Sequence, residues 1–200
     1  MASFSNIFTI DSNPFGKSYG EWSVQWWQWI CEIPKEKNPA FDNEGDLIHI
    51  NQNDAHVIFL CQTIEGVENN PIRRNYIPAG KAIFMPIINW ISIMGEDGNT
   101  DQELLETAKK RMDVVSKLEL IFNDVKTNKG LEKYRIRSPF FYINLPNNNI
   151  FGIESGIKRC ISDGYWLFFH PNFGNLKLST FSSCSSGITQ IKVQYILNLK

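Results

Sequence analysis

Polar side chains interrupt the apolar segments in the first half of the chain, at positions where a charge must be paired or reach water. These residues are Gln62, Lys81, Asn89 and Glu96, with Arg73 or Arg74 nearby in sequence. If their side chains converge, Lys81 and Glu96 form an acid/base or anion-binding pair, with Asp42 as a further candidate carboxylate. The sequence favours the structural alternative, in which Lys81 is simply exposed beside the turn at Gly80.

Candidate metal ligands are few and widely spaced. The imidazoles of His49, His56 and His170, with the carboxylate of Asp54, are of the types that hold zinc. None of them has the close spacing of a known zinc site, so scattered turn or surface histidines are favoured. The acidic segment 42–46 resembles part of a calcium loop but lacks the remaining ligands, which favours a turn. The sequence identifies no cofactor.

Common catalytic signatures are absent from the chain. There is no GxSxG, HExxH or GxGxxG motif, and Gly80-Lys81 is followed by Ala82 where a P-loop has Ser or Thr. These absences disfavour the large hydrolase, dehydrogenase and nucleotidase classes. An enzyme of an unfamiliar type is the alternative that these absences leave.

A tryptophan-rich helix is predicted after a capping box formed by Ser18 and Glu21. Trp22, Trp26 and Trp29 recur at helical spacing on one face, and Pro34 ends the helix. A structural core is the favoured interpretation of this stripe. The alternative is an aromatic platform for a sugar, for which Trp27 and Trp90 are the indoles expected to be exposed.

A second helix is predicted from a capping box at Thr100 and Glu103 to about Lys126. Strands are predicted at 47–50, 56–62, 74–78, 81–88, 140–145, 165–170, 176–179 and 191–200, several with an apolar-polar alternation. We therefore expect an α+β fold: an antiparallel β-sandwich of jelly-roll or Ig-like type with two packed helices. Residues 1–200 are predicted to form a single domain.

Composition and charge limit the classes of binding partner that we expect. Hydrophobic residues make up 42% of the chain, and the net charge is −1 with acids and bases mixed. No basic stripe is visible, so a nucleic-acid partner is not expected. The longest apolar stretch, 82–94, is too short and interrupted for a membrane span. Residues 1–13 lack the pattern of a signal peptide, which predicts a cytoplasmic location, with secretion as the alternative.

The cysteines have two different settings. Cys31 and Cys61 lie in apolar segments and are predicted to be buried thiols. Cys160 and Cys184 flank a strand-like region, and an oxidising compartment would allow them to pair.

Three segments carry a family resemblance. The first is WSVQWWQWICEIP, followed by the dipeptide NP and Asp42. The second is Val57–Leu60 with Arg73 or Arg74 and then IPAGKAIFMPIIN. The third is the pair DGYWLFF and VQYILNL. Together they resemble a family of uncharacterised bacterial and archaeal proteins, many of which carry a secretion signal. The resemblance implies no activity.

These observations predict a ligand-binding or interaction module, with a carbohydrate or another small molecule as the candidate partner. The candidate binding residues are Gln62, Arg73, Asn89, Trp27 and Trp90. The alternative is an enzyme of an unfamiliar type with a polar pocket around Lys81, Asn89 and Glu96. The two predictions differ in whether Asp42, His49, Lys81, Asn89 and Glu96 share one pocket.

Overall fold

The computed structural model describes residues 7–64, 70–171, 174–185 and 190–200. Its helices are α1 (Tyr19–Glu32) and α2 (Asp101–Asp113). Its strands are β1 (Val57–Phe59), β2 (Ile72–Ile77), β3 (Ala82–Ile93), β4 (Val115–Phe122), β5 (Val125–Thr127), β6 (Arg135–Arg137), β7 (Phe141–Leu145), β8 (Gly156–Phe169), β9 (Gly174–Cys184) and β10 (Gln190–Leu199).

The strands form two sheets. Sheet A has the order β1-β3-β8-β6, with β7 also paired to β8, and sheet B has the order β2-β10-β9-β4-β5. The pairs β1–β3 and β2–β10 are parallel, and the remaining pairs are antiparallel. The predicted α+β fold with packed sheets is confirmed. Each sheet is mixed rather than purely antiparallel.

The central strands of sheet A, β3 and most of β8, are buried on both faces because different layers cover them. Phe84 and Trp166 point into an aromatic cluster beneath α1. Met85 and Leu167 point the opposite way, into an apolar cluster shared with sheet B. Strand β3 is therefore largely apolar, and β8 is buried continuously from Cys160 to Phe169, as expected of strands covered on both sides.

The tryptophan-rich helix forms as predicted, with both hydrogen bonds of the Ser18–Glu21 capping box present. Trp22, Trp26 and Trp29 are buried, and their indole N–H groups donate to the carbonyl oxygens of Pro14, Leu60 and Ile50, respectively. These hydrogen bonds satisfy the indole N–H groups, which burial would otherwise leave without an acceptor. The helix is therefore a structural element of the core.

The two indoles expected to be exposed differ in outcome. Trp27 is only 6% exposed and packs edge-on against Trp26, so the expected exposure of Trp27 is wrong. Trp90 is half-buried, and the guanidinium of Arg111 lies 4.3 Å from the centre of its ring. The burial of Trp27 shows that apolar neighbours surround more of helix α1 than the face that carries Trp22, Trp26 and Trp29.

The second helix begins at its predicted capping box but ends at Asp113, so the predicted extension to Lys126 is wrong. Two β-branched residues, Val114 and Val115, follow and disfavour further helix. Residues 115–122 instead pair with β9. The predicted strand at 47–50 is also wrong, because backbone N–H to carbonyl bonds from Ile48 to Gly45 and from Ile50 to Leu47 form successive turns there.

All four cysteines are free thiols. The predicted burial of Cys31 and Cys61 is confirmed. Cys160 lies on the α1 side of sheet A, where burial raises the pKa of its thiol to about 12, whereas Cys184 is in sheet B. Among the described helices, none is long and apolar enough to cross a membrane.

Replacement of Gly164 by alanine tests the packing of β3 against β8. A Cβ atom at this position would lie 2.7 Å from the Asn89 Cβ atom and 2.9 Å from its Cα atom. Because backbone must move to relieve this contact, we expect Gly164→Ala to lower the free energy of unfolding by about 1–3 kcal/mol. Chemical denaturation measures the effect.

Ser162→Ala is the matched control. Ser162 lies on the same face of β8, and its hydroxyl has no hydrogen-bond partner among the described residues. Its removal should leave the stability nearly unchanged. Equal effects of the two substitutions would contradict the close approach at Gly164.

Candidate functional site

Lys81 and Glu96 lie at opposite ends of β3 and do not form a pair. Lys81 immediately precedes Ala82, and Glu96 is an exposed turn residue beyond Ile93. A strand of this length separates its ends by roughly 35–40 Å. The structure therefore does not assemble the acid/base pair that the enzyme hypothesis required.

Asn89 lies between these two residues, inside the fold. It pairs with Gly164 on the face of sheet A that α1 covers. Its amide nitrogen is buried and donates no hydrogen bond to any of the described residues. It shares no pocket with Lys81 or Glu96.

Asp42 closes a turn. One carboxylate oxygen accepts the backbone N–H groups of Glu44 and Gly45, and the other accepts the N–H group of Leu47. These bonds occupy the carboxylate within its own loop. The side chain is therefore committed to shaping residues 42–47 rather than to chemistry with Lys81.

Arg73 is 2% exposed and is the centre of a buried polar cluster. Its guanidinium donates to the backbone carbonyls of Asp42, Cys61 and Ala40 at 2.6, 2.8 and 3.3 Å, respectively, and to the Tyr195 hydroxyl at 2.8 Å. No carboxylate forms an ion pair with Arg73 among the described residues. The charge is solvated by carbonyl oxygens instead.

Burial dominates the titration of this cluster. It raises the pKa of the Tyr195 hydroxyl and of the Cys61 thiol, although the nearby guanidinium opposes both shifts. Burial also lowers the pKa of Arg73, but Tyr195 and Cys61 outweigh that effect and the net pKa lies above its ordinary value. Arg73 therefore stays a cation, beside a neutral phenol and a neutral thiol.

Gln62 is also an interior residue. Its amide nitrogen donates to the carbonyl oxygens of Pro86 and Ile87 and to the Thr180 hydroxyl. It thereby joins an irregular point of β3 to sheet B. Gln62 and Arg73 both fit the structural alternative that the sequence favours.

The three histidines are separate. A ring nitrogen of His49 lies 3.1 Å from the side-chain oxygen of Asn75, and His56 stacks on Phe15. His170 contacts the turn at Gly80. The described residues contain no group of three or more His, Cys, Asp or Glu side chains arranged to hold a metal.

A cleft of about 270 Å³ opens where strands of both sheets end. The turn between β2 and β3 forms one wall, and residues just after β8, with the last residue of β10, form the rest. Its lining residues are Pro78, Ala79, Gly80, Lys81, His170, Pro171 and Leu199. We name this site the turn cleft.

Local backbone chemistry positions the turn. Gly80 has a φ of +84°, a conformation that other residues rarely adopt, and the Lys81 N–H group donates to the Pro78 carbonyl. The Ala79 N–H group donates to the carbonyl of Lys200, which ties the turn to the end of β10. The segment IPAGK thus bends away from sheet B and directs Lys81 toward the cleft.

Lys81 is a half-buried cation without an acidic partner among the described residues. Its ammonium group donates to the backbone carbonyl of Asp54 at 2.6 Å. An ammonium carries further hydrogens beyond this one bond. Across the cleft, a nitrogen of His170 lies 3.1 Å from the Gly80 carbonyl, and since a carbonyl only accepts, the imidazole Nε2–H is the donor.

The lining of the turn cleft suits binding better than catalysis. It combines a cation and an imidazole with the apolar surfaces of Pro78, Pro171 and Leu199. Its lining residues include no hydroxyl, thiol or carboxylate side chain to pair with the imidazole as a nucleophile and its base do in hydrolases. Sequence reasoning selected Lys81 and His170 separately, but only the pairing of β3 with β8 brings them together.

Comparisons with known proteins supply little. No protein-family model matches the chain, and no curated protein sequence matches it. One similar solved structure is "Structure of PbICP-C in complex with falcipain-2", with a TM-score of 0.29, 8% identity, and coverage of 72% of this chain and 99% of that chain. Another is "Solution Structure of Amebosin", with a TM-score of 0.23, 11% identity, and coverage of 74% and 100%, respectively. The family resemblance of the three sequence segments stays a prediction.

Replacement of Arg73 by lysine tests the buried cluster. A lysine ammonium cannot reach the carbonyls of Asp42 and Cys61 and the Tyr195 hydroxyl together, because it lacks the planar fork of a guanidinium. We expect Arg73→Lys to lower the free energy of unfolding by about 2–4 kcal/mol in chemical denaturation. Arg74→Lys, at the exposed neighbouring position, is the control and should have almost no effect.

Proposed function

We propose that this protein is a ligand-binding module whose turn cleft holds a small organic acid. The observation that carries the proposal is the half-buried side chain of Lys81, which lines the cleft and has no carboxylate partner among the described residues. A partly desolvated cation is stabilised by an anionic ligand. The carboxylate of the ligand would take the place of the missing acidic partner.

The remaining lining residues favour a compact acid with an apolar portion. A volume of about 270 Å³ lies just below the range of about 300–1,000 Å³ that is typical of small-molecule pockets. Pro78, Pro171 and Leu199 offer apolar contact to the body of such a ligand. The imidazole of His170, held by the Gly80 carbonyl, offers its second nitrogen for orientation.

A neutral sugar is a weaker candidate for this cleft. Carbohydrate sites commonly use an exposed aromatic ring, and the turn cleft has none among its lining residues. A sugar acid combines hydroxyl groups with the carboxylate that Lys81 favours. The alternative of an enzyme around Lys81, Asn89 and Glu96 has no supporting observation, because these residues are dispersed along β3.

Titration followed by amide NMR shifts tests the proposal. We expect benzoate and glucuronate to shift the amide signals of Ala79, Gly80 and Lys81, and glucose to leave them unchanged. Lys81→Met should weaken carboxylate binding about tenfold, because a charge-assisted hydrogen bond is lost. Lys37→Met, which removes an exposed cation elsewhere, is the matched control.

Several outcomes would contradict the proposal. Shifts confined to residues outside the turn cleft would place the ligand elsewhere. Equal shifts with glucose and glucuronate would show that the carboxylate is not recognised. If Lys37→Met weakened carboxylate binding as much as Lys81→Met, the effect of Lys81 would come from the net charge of the protein and not from a contact in the cleft.

A further inference from the structure

The outer side of sheet B is an uncovered surface. Along its strands, inward side chains such as Val193, Leu197 and Leu178 are buried, while every outward one is exposed or half-buried. Both helices pack against strands of sheet A. In sheet A, by contrast, β3 and most of β8 are covered on both faces. We call this surface the open face.

Strand pairing collects cations on the open face from parts of the chain that are far apart. The register places Ile196 between Arg74 and Lys177, and it places Ile121 beside Lys126. The outward cations of the described strands are Arg74 on β2, Lys117 on β4, Lys126 on β5, Lys177 on β9 and Lys192 on β10. The outward carboxylate is that of Glu119.

The internal pairing of these charges is incomplete. Lys117 and Lys126 both contact Glu119, at 2.9 and 2.7 Å, and Lys177 lies 3.7 Å from Asp124 in the exposed β4–β5 turn. Arg74 and Lys192 have no ion pair among the described residues. The whole chain has a net charge of −1, so this cationic excess is a local feature of one face.

The side chains between the cations are suited to hydroxyl groups. Amide and hydroxyl side chains project from β9 and β10 on the open face: Asn175, Ser179, Ser183, Gln190, Gln194 and Asn198. Such groups both donate and accept hydrogen bonds. A flat array of cations and neutral polar groups matches a polymer that carries carboxylate or sulfate groups together with many hydroxyls.

The aromatic side chains on the open face argue against single-stranded nucleic acid. Base stacking requires an accessible ring face. Tyr76 has His49 at 4.5 Å and the Lys200 ammonium at 4.6 Å from its ring centre, and the Lys117 ammonium lies 5.1 Å from the ring of Phe181. The described strands present no further aromatic ring on this face.

We propose that the open face of sheet B binds an acidic polysaccharide, through Arg74 and Lys192 and the polar side chains between them. This site is distinct from the turn cleft, because its residues project from the outer side of sheet B. The proposal does not depend on a ligand in the cleft. It assigns a carbohydrate partner to charged and amide side chains rather than to tryptophans.

Binding to defined polymers tests the proposal. The probes are heparin, which is sulfated, polygalacturonate, which is carboxylated, neutral dextran, and a single-stranded oligothymidylate. We expect calorimetric binding of both acidic polysaccharides at low ionic strength, weakened by added salt, and no binding of dextran. Absence of binding to both acidic polysaccharides would overturn the proposal.

Matched variants locate the site. Arg74→Gln with Lys192→Gln should weaken polysaccharide binding roughly tenfold, as two exposed charge contacts are lost. Arg137→Gln with Lys37→Gln makes the same change of charge at exposed positions outside sheet B and should leave the affinity unchanged. Lys81→Met should also leave it unchanged, which separates this site from the turn cleft.

Two results would reverse the assignment. Equal weakening by both double variants would show that binding follows net charge and uses no particular face. Tighter binding of oligothymidylate than of either polysaccharide would identify nucleic acid as the partner instead. Circular dichroism on each variant establishes that the compared proteins are folded.

Discussion

The buried guanidinium of Arg73 joins parts of the fold that are far apart in sequence. It projects from β2 toward the interior and binds backbone carbonyls of the loop at 40–42 and of Cys61, together with the hydroxyl of Tyr195 on β10. A buried cation that lost these acceptors would carry a large desolvation cost. The loop, the end of β1 and the edge of sheet B are therefore fixed relative to one another by one charge.

The orientation of Arg73 also determines both proposed sites. Successive strand residues point to opposite faces, so an inward Arg73 requires an outward Arg74 and an outward Tyr76. The same register pairs Ile77 with Leu199, which brings the end of β2 beside the end of β10. The turn that follows can then form the wall of the turn cleft. A slip of one residue would bury Arg74 and remove both surfaces together.

Local signals predicted the start of each helix but not the larger arrangement. The capping boxes at Ser18 and Thr100 act over three residues, and both predicted helix starts are confirmed. The end of α2 was missed because the apolar spacing at 115–122 fits a helix as well as a strand, and pairing with β9 decides between them. The cations of the open face are dispersed over five strands between residues 74 and 192, so the sequence shows no basic stripe until the strands are paired.

The site residues show why a charge cannot be assigned a role from its neighbours in sequence. Arg73, Arg74 and Lys81 belong to one short region, yet they have three environments. Arg73 is buried and fully bonded to the protein, so it stabilises the fold. Arg74 is exposed on the open face, where its charge is available to bind a polyanion. Lys81 is half-buried with one carbonyl partner, and its side chain lines the turn cleft. The extent of burial and the acceptors already bound, rather than the residue type, decide which of these cations is available to a ligand.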